Sequence, residues 1–220
     1  MPVVEALSLV KTHGTGRGAR RVLDGASIAI EAGELVAVVG RSGSGKSTLT
    51  HLLGALDRPD AGTISLAGRR IDTAAERELV AIRRDLVGLV FQFFHLVPEL
   101  TGEENVMLPA RLPGANGAIE RSRELLERLE LTDAATRRPH ELSGGEQQRL
   151  ALARALVRDP AVVIADEPTG NLDSVSAKTV LALLRGAADD GRAVLIVTHE
   201  TAATRTADRV LRLEDGQLRE

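Results

Sequence analysis

The sequence predicts an α/β fold with a mainly parallel sheet at its centre, a small antiparallel β subdomain and an inserted lobe of helices. Three observations predict it. Short apolar runs at 34–39 (ELVAVV), 162–165 (VVIA) and 193–197 (AVLIV) each end in polar loops, the mark of strands buried on both faces of a parallel sheet. Segment 26–30 (ASIAI) alternates instead, and 63–66 is short and bounded by Gly62 and Gly68, which predicts a smaller antiparallel sheet. From about residue 91 to 139 the strand signal fades and helical patterns take over.

Taken in order, the run at 34–39 opens onto a Gly/Ser-rich loop, and apolar residues at 49–56 follow it as a helix. In 119–131 the residues Ile119, Leu125, Leu126 and Leu129 are expected to share one buried helical face. Near the end, 211–218 contains Asp215-Gly216, a type I′ hairpin signal. With 220 residues and no long linker or internal repeat, the chain reads as a single domain, 1–220, with the helical lobe at about 91–139.

Composition narrows the function. Hydrophobic residues make up 43% and charged residues 27%, an ordinary globular balance. A net charge of −3 supplies no strong positive field, which argues against a dedicated nucleic-acid binder. There are no cysteines, so disulfides and thiolate metal sites are excluded. No segment approaches the roughly 18 apolar residues that cross a bilayer, and the opening MPVVEALSLVK lacks the order of a secretion signal. Any membrane role is expected to pass through a partner.

Gly40-Arg41-Ser42-Gly43-Ser44-Gly45-Lys46-Ser47-Thr48 satisfies the phosphate-binding pattern G-x-x-x-x-G-K-[ST] between a strand and a helix. The glycines let consecutive backbone N–H groups converge on phosphate oxygens beside a helix N-terminus. Lys46 adds a point charge near the β- and γ-phosphates, and the Ser47 hydroxyl can ligate Mg²⁺. The fold is therefore expected to be a P-loop NTPase core, which alone leaves kinases, GTPases, helicases and ABC proteins open. A second strand ends in Asp166-Glu167. In a parallel sheet that end faces the ligand crevice. Asp166 can then serve Mg²⁺, and Glu167 can polarise the attacking water.

Leu142-Ser143-Gly144-Gly145-Glu146-Gln147-Gln148-Arg149 decides among these classes. Ser143 and Glu146 read as a capping box, but a cap does not explain paired glycines that weaken a helix start. The string resembles the LSGGQ signature of the ABC (ATP-binding cassette) ATPases, with Glu146 where that shorthand has Gln. Gln92 matches the family's Q-loop, Asn171-Leu172-Asp173 its D-loop and His199 its switch histidine, all in order.

The resemblance implies an ATP-hydrolysing transport subunit that uses ATP and Mg²⁺ and forms a head-to-tail homodimer. Each ATP would sit between the P-loop of one subunit and Ser143, Gly144 and Gly145 of the other. His199 would contact the γ-phosphate, while Gln92 would sense Mg²⁺ and the attacking water. Binding would close the dimer and hydrolysis reopen it, moving transmembrane permease subunits from the cytoplasmic face of the cell membrane. The stretches FQFFHLVPELTGEENVMLP and DEPTGNLD look like the subgroup serving lipoprotein release, macrolide export and cell-division complexes. Two rivals stand beside this. A soluble repair or translation ATPase would be expected to carry a coiled-coil insertion, a zinc site or a second cassette. A force-transmitting cassette would act on a periplasmic or cell-wall partner without moving a substrate.

The family stacks an aromatic residue, usually Tyr, on adenine, whereas this chain has no Tyr and no Trp. Counting from Leu7 to Lys11 puts His13 at that place, in a Gly-rich segment, 12–20, expected to be flexible. His13 either stacks on the base or is a solvated loop residue. The only aromatics, Phe91, Phe93 and Phe94, flank Gln92. Period-2 alternation puts Phe91 and Phe93 in the core. Phe94 is either core as well or, with Leu96 and Val97, an apolar notch for a helix of the permease.

Overall fold

The computed structural model describes residues 1–220, the side chain of Arg17 excepted. β1 (Val4–His13) and β2 (Arg20–Ile30) pair antiparallel around a 3₁₀ turn at Gly16–Gly18. β3 (Leu35–Val39) runs through the Gly-rich loop into α1 (Lys46–Leu53). β4 (Ala61–Leu66) and β5 (Arg69–Arg70) complete a four-stranded antiparallel sheet in the order β2-β1-β4-β5. α2 (Glu76–Leu86) passes directly into β6 (Val87–Phe91). Then come α3 (Gly102–Met107), α4 (Ala118–Arg128) and α5 (Gly144–Leu156) before the next strand, β7 (Val162–Asp166). The chain closes with α6 (Ser174–Asp189), β8 (Ala193–Thr198), α7 (Thr201–Thr206), β9 (Arg209–Glu214) and β10 (Gln217–Arg219).

The second sheet has six strands in the order β10-β9-β3-β8-β7-β6, parallel except for β10. β10 returns through Asp215 and Gly216, whose φ angles of 50° and 76° are the pair of left-handed residues a type I′ turn requires. Alternation along the strands sorts side chains between two cores. Val36, Val38, Val162, Ile164, Leu195 and Val197 face α1, α2 and the antiparallel sheet. Leu35, Val163, Ala165, Val194 and Ile196 face the opposite way, toward α3 to α6. Continuous apolar runs are needed because both faces are covered. No helix among the described residues is long and apolar enough to cross a membrane.

Two expectations, for Ile119 and for the phenylalanines, are corrected. Ile119 is 43% exposed, and the buried stripe of α4 is Ala118, Ser122, Leu125, Leu126 and the following Leu129. Positions 118, 122, 125 and 129 stack at helical spacing, and Ile119 lies one residue, about 100°, to the side. The 12–20 segment joins the two strands: Thr12 and His13 end β1, Gly16–Gly18 form the 3₁₀ turn and Arg20 starts β2, with His13 and Arg20 directly paired. The phenylalanines are not all core. β6 stops at Phe91, so alternation cannot be extended past it, and Phe93 is 68% exposed. Phe91 instead meets the His95 ring edge-on at 5.2 Å. The half-buried Phe94 ring lies beside Gly144, where a Cβ would come within 3.7 Å of it.

The antiparallel sheet carries a pH-dependent tie. The Asp72 side chain, 7% exposed, accepts hydrogen bonds from the Ile64 amide (3.0 Å) and the Arg70 guanidinium (2.8 and 2.6 Å). The hydrogen bond from Arg70, above all, lowers its pKa to about 2. A folded pKa below the unfolded value stabilises the fold above about pH 4, and that contribution is lost as pH falls toward 2. Asp72→Asn should therefore lower stability at pH 7 by about 1 kcal/mol, a figure reduced for the solvent exposure of Arg70. Urea unfolding at pH 7 and pH 3 checks this: the gap between the variant and the natural chain should narrow in acid.

Candidate functional site

Sheet register brings the site together. Val39 pairs with Thr198, Val197 with Asp166, and Asp166 with Phe91. Four neighbouring strands thus end at one level. The residues that follow, Gly40, His199, Glu167 and Gln92, emerge side by side where parallel sheets bind ligands. They border an open cleft of about 780 Å³ whose floor is the 40–48 loop.

The loop is held by close backbone approach. Gly45 has φ 105°, and a Cβ there would lie 2.6 Å from the Val22 carbonyl oxygen. A Cβ on Gly40 would lie 2.7 Å from that of Leu213. Only glycine fits either position. Lys46 Nζ donates to the carbonyls of Gly40 (2.8 Å) and Arg41 (3.1 Å), which sets its charge across the mouth of the loop. Ser42, Gly43, Ser47 and Thr48 line the cleft with them, but Ser44 does not. The Ser44 amide is used on the Arg41 carbonyl, and its hydroxyl is buried without a hydrogen-bond partner among the described residues.

Asp166 alternates onto the α1 side of the sheet, toward Ser47 in the first turn of α1. Burial pushes its carboxyl above the usual carboxylate value, the nearby Ser47 hydroxyl opposes this, and the neighbouring Glu167 charge adds to it. A desolvated carboxylate beside a hydroxyl and the Gln92 amide is an all-oxygen donor set suited to a hard cation. Glu167 has φ 47° and donates its own amide to the Val197 carbonyl. Its carboxylate accepts from Thr198 Oγ1 at 3.0 Å and lies 2.9 Å from His199 Nδ1. Gln92 and Asn171 exchange contacts, the Asn171 amide donating to the Gln92 carbonyl at 3.2 Å and the Gln92 amide reaching Asn171 Oδ1 at 3.5 Å.

His13 lines the cleft, with Nε2 3.0 Å from Thr48 Oγ1. Ser143, Gly144 and Gly145 do not line it and instead open α5. The Ser143 amide and hydroxyl donate to Glu146 (2.8 and 2.7 Å), and the Glu146 amide returns to Ser143 Oγ at 3.3 Å. These bonds, with a further one from Arg137, hold the Glu146 carboxyl below its ordinary pKa. A Cβ on Gly145 would meet Ser176 Oγ at 2.5 Å, so this glycine lets α5 start against α6.

Sequence reasoning missed Arg20 and Val22, which reach the cleft from β2. Arg20 Nη2 donates to the Gly43 carbonyl at 3.1 Å. Nothing local marks either residue, because only packing of the antiparallel sheet against the loop brings them there. Thr198 was also missed, although a polar residue closing an apolar run is a legible signal.

The family profile described as ABC transporter matches residues 23–170. The lipoprotein-releasing system ATP-binding protein LolD of Hyphomonas neptunium is 45% identical over 220 residues, which are 99% of this chain and 96% of that protein. The macrolide export ATP-binding/permease protein MacB of Chlorobaculum tepidum is 43% identical over 97% of this chain. The chain spans 33% of that longer protein. Among solved structures, a dimeric post-hydrolysis ATP-binding cassette bound to ADP and Pi is 37% identical, with a TM-score of 0.88. It covers 99% of this chain, and the chain covers 97% of it.

Proposed function

Because the chain belongs to the ABC transporter family, as one of its ATP-hydrolysing cassettes, we propose that its cleft takes ATP with Mg²⁺ and that a homodimer of it drives a membrane permease. The carrying observation is the meeting of the 40–48 loop with Gln92, Asp166, Glu167 and His199 in one cleft. In this reading residues 1–220 work as one nucleotide-binding domain, with 91–139 as its helical lobe.

The loop amides and Lys46 hold the phosphates. Ser47, Gln92 and Asp166 would hold Mg²⁺, which when bound neutralises charge on the phosphate oxygens. Glu167 is the general base for the attacking water, and Thr198 fixes its carboxylate. The His199 side chain is 69% exposed and so is free to turn from Glu167 toward a γ-phosphate. His13 stacks on the base. Ser143, Gly144 and Gly145 lie away from their own cleft, which suits them to complete that of a second subunit.

The permease would dock on a groove of about 330 Å³ between α2 and the helical lobe, lined by Val80, Leu89 and Leu112 and by Arg83, Arg84 and Arg158. In this reading the chain sits peripherally on the inner face of the cell membrane, held there by the permease. The likeness to lipoprotein-release and macrolide-export proteins favours export or extraction as the task.

Lys46→Ala tests the nucleotide reading. Loss of a charge-assisted contact of about 1.5–3 kcal/mol should weaken ATP binding roughly 10- to 100-fold in calorimetric titration. Unchanged affinity would sink the assignment of the cleft.

A further inference from the structure

We propose that Arg20 is a nucleobase ligand, facing the base together with His13, and that it gives the cleft a tolerance for guanine nucleotides. This rests on the reading of the cleft as a nucleotide site. Phosphate chemistry occupies the end formed by Lys46, Ser47, Asp166 and Glu167, so the wall left for a base is His13, Arg20 and Val22. His13 and Arg20 are directly opposite residues of β1 and β2, which makes their side chains neighbours on one face. His13 rests on Thr48 and Arg20 on the Gly43 carbonyl, so the pair spans the loop.

The chain has no Tyr or Trp, and none of its three Phe lines the cleft. Imidazole and guanidinium are therefore the planar groups available to a base at this wall. A guanidinium stacks on π faces and carries five donors and no acceptor, of which the Gly43 carbonyl engages one group. Guanine presents two adjacent acceptors, O6 and N7, which match that fork. Adenine presents one acceptor and one donor, so it can satisfy only half of it. Val22 adds apolar contact that either purine can use.

The test is calorimetric titration of the intact chain with ATP and with GTP, comparing the natural sequence with Arg20→Val and Arg20→Lys. The natural chain should bind GTP at least as tightly as ATP. Both variants should shift the ratio of affinities toward ATP by about tenfold, the lower end of what a bidentate contact to a base discriminates. Arg20→Lys matters because it keeps the charge and loses the planar fork. Equal weakening of both nucleotides by Arg20→Val, with recovery in Arg20→Lys, would make Arg20 a phosphate-attracting charge and overturn the proposal. An unchanged ratio would overturn it as well. Failure of the natural chain to bind either nucleotide would instead remove the underlying reading.

Discussion

Replacing Glu167 by Gln should leave ATP bound and lower turnover by about 10²–10⁴-fold, the usual worth of a general base. The amide keeps the size of the carboxylate and can still accept the 3.0 Å hydrogen bond from Thr198. It loses the negative charge that polarises water and that faces His199 Nδ1 at 2.9 Å. The groups that bind phosphate, Lys46 and the loop amides, are left unchanged by the substitution. ATP-loaded protein should then accumulate as a dimer in size-exclusion chromatography, whereas the natural chain would pass through that state and hydrolyse. A variant that released phosphate at the natural rate would show that another group activates the water.

The second large effect is expected at Ser143→Arg. This residue caps α5 and stands beside two glycines, one approached by Phe94 and the other by Ser176. A guanidinium there would project from the surface offered to a second subunit and would exclude a phosphate from the helix N-terminus. Loss of the cap costs on the order of 1 kcal/mol, so the monomer should stay folded and bind ATP through its own loop. Hydrolysis should fall to the level of isolated monomers, and ATP should no longer shift the elution volume. Ser143→Ala separates the two roles, since it removes the cap without adding bulk. If both variants lost stability equally and the dimer survived in Ser143→Arg, the serine would be a cap and nothing more.

The apolar runs at 34–39, 162–165 and 193–197 were legible because strands buried on both faces allow no polar residue, and each proved to be a parallel strand. The loop glycines were legible because the backbone demands them, and two leave no room for a Cβ. What stayed hidden depends on distant pairing. Arg20 and Val22 reach the cleft only because β2 folds over the loop, and no periodicity near residue 20 encodes that contact. Phe93 misled for the opposite reason: alternation was carried one step past a strand that ends at Phe91. Ile119 was placed by hydrophobicity where geometry assigns Ala118, a residue too small to signal burial.

The common level of the four strand ends has a kinetic consequence. Gly40, Gln92, Glu167 and His199 come from widely separated parts of the chain, and only the pairing of β3, β8, β7 and β6 brings them into one row. Contacts of such sequence separation form late, because long loops must close before pairing compensates for their entropy. An intermediate lacking β8 would carry the phosphate loop and the acids on strands held apart, with no partner between β3 and β7. Nucleotide should therefore recognise only the completed sheet, stabilising the native state without accelerating its formation. In refolding experiments ATP should slow unfolding and leave the folding rate unchanged, as expected for a ligand whose site is absent from the transition state.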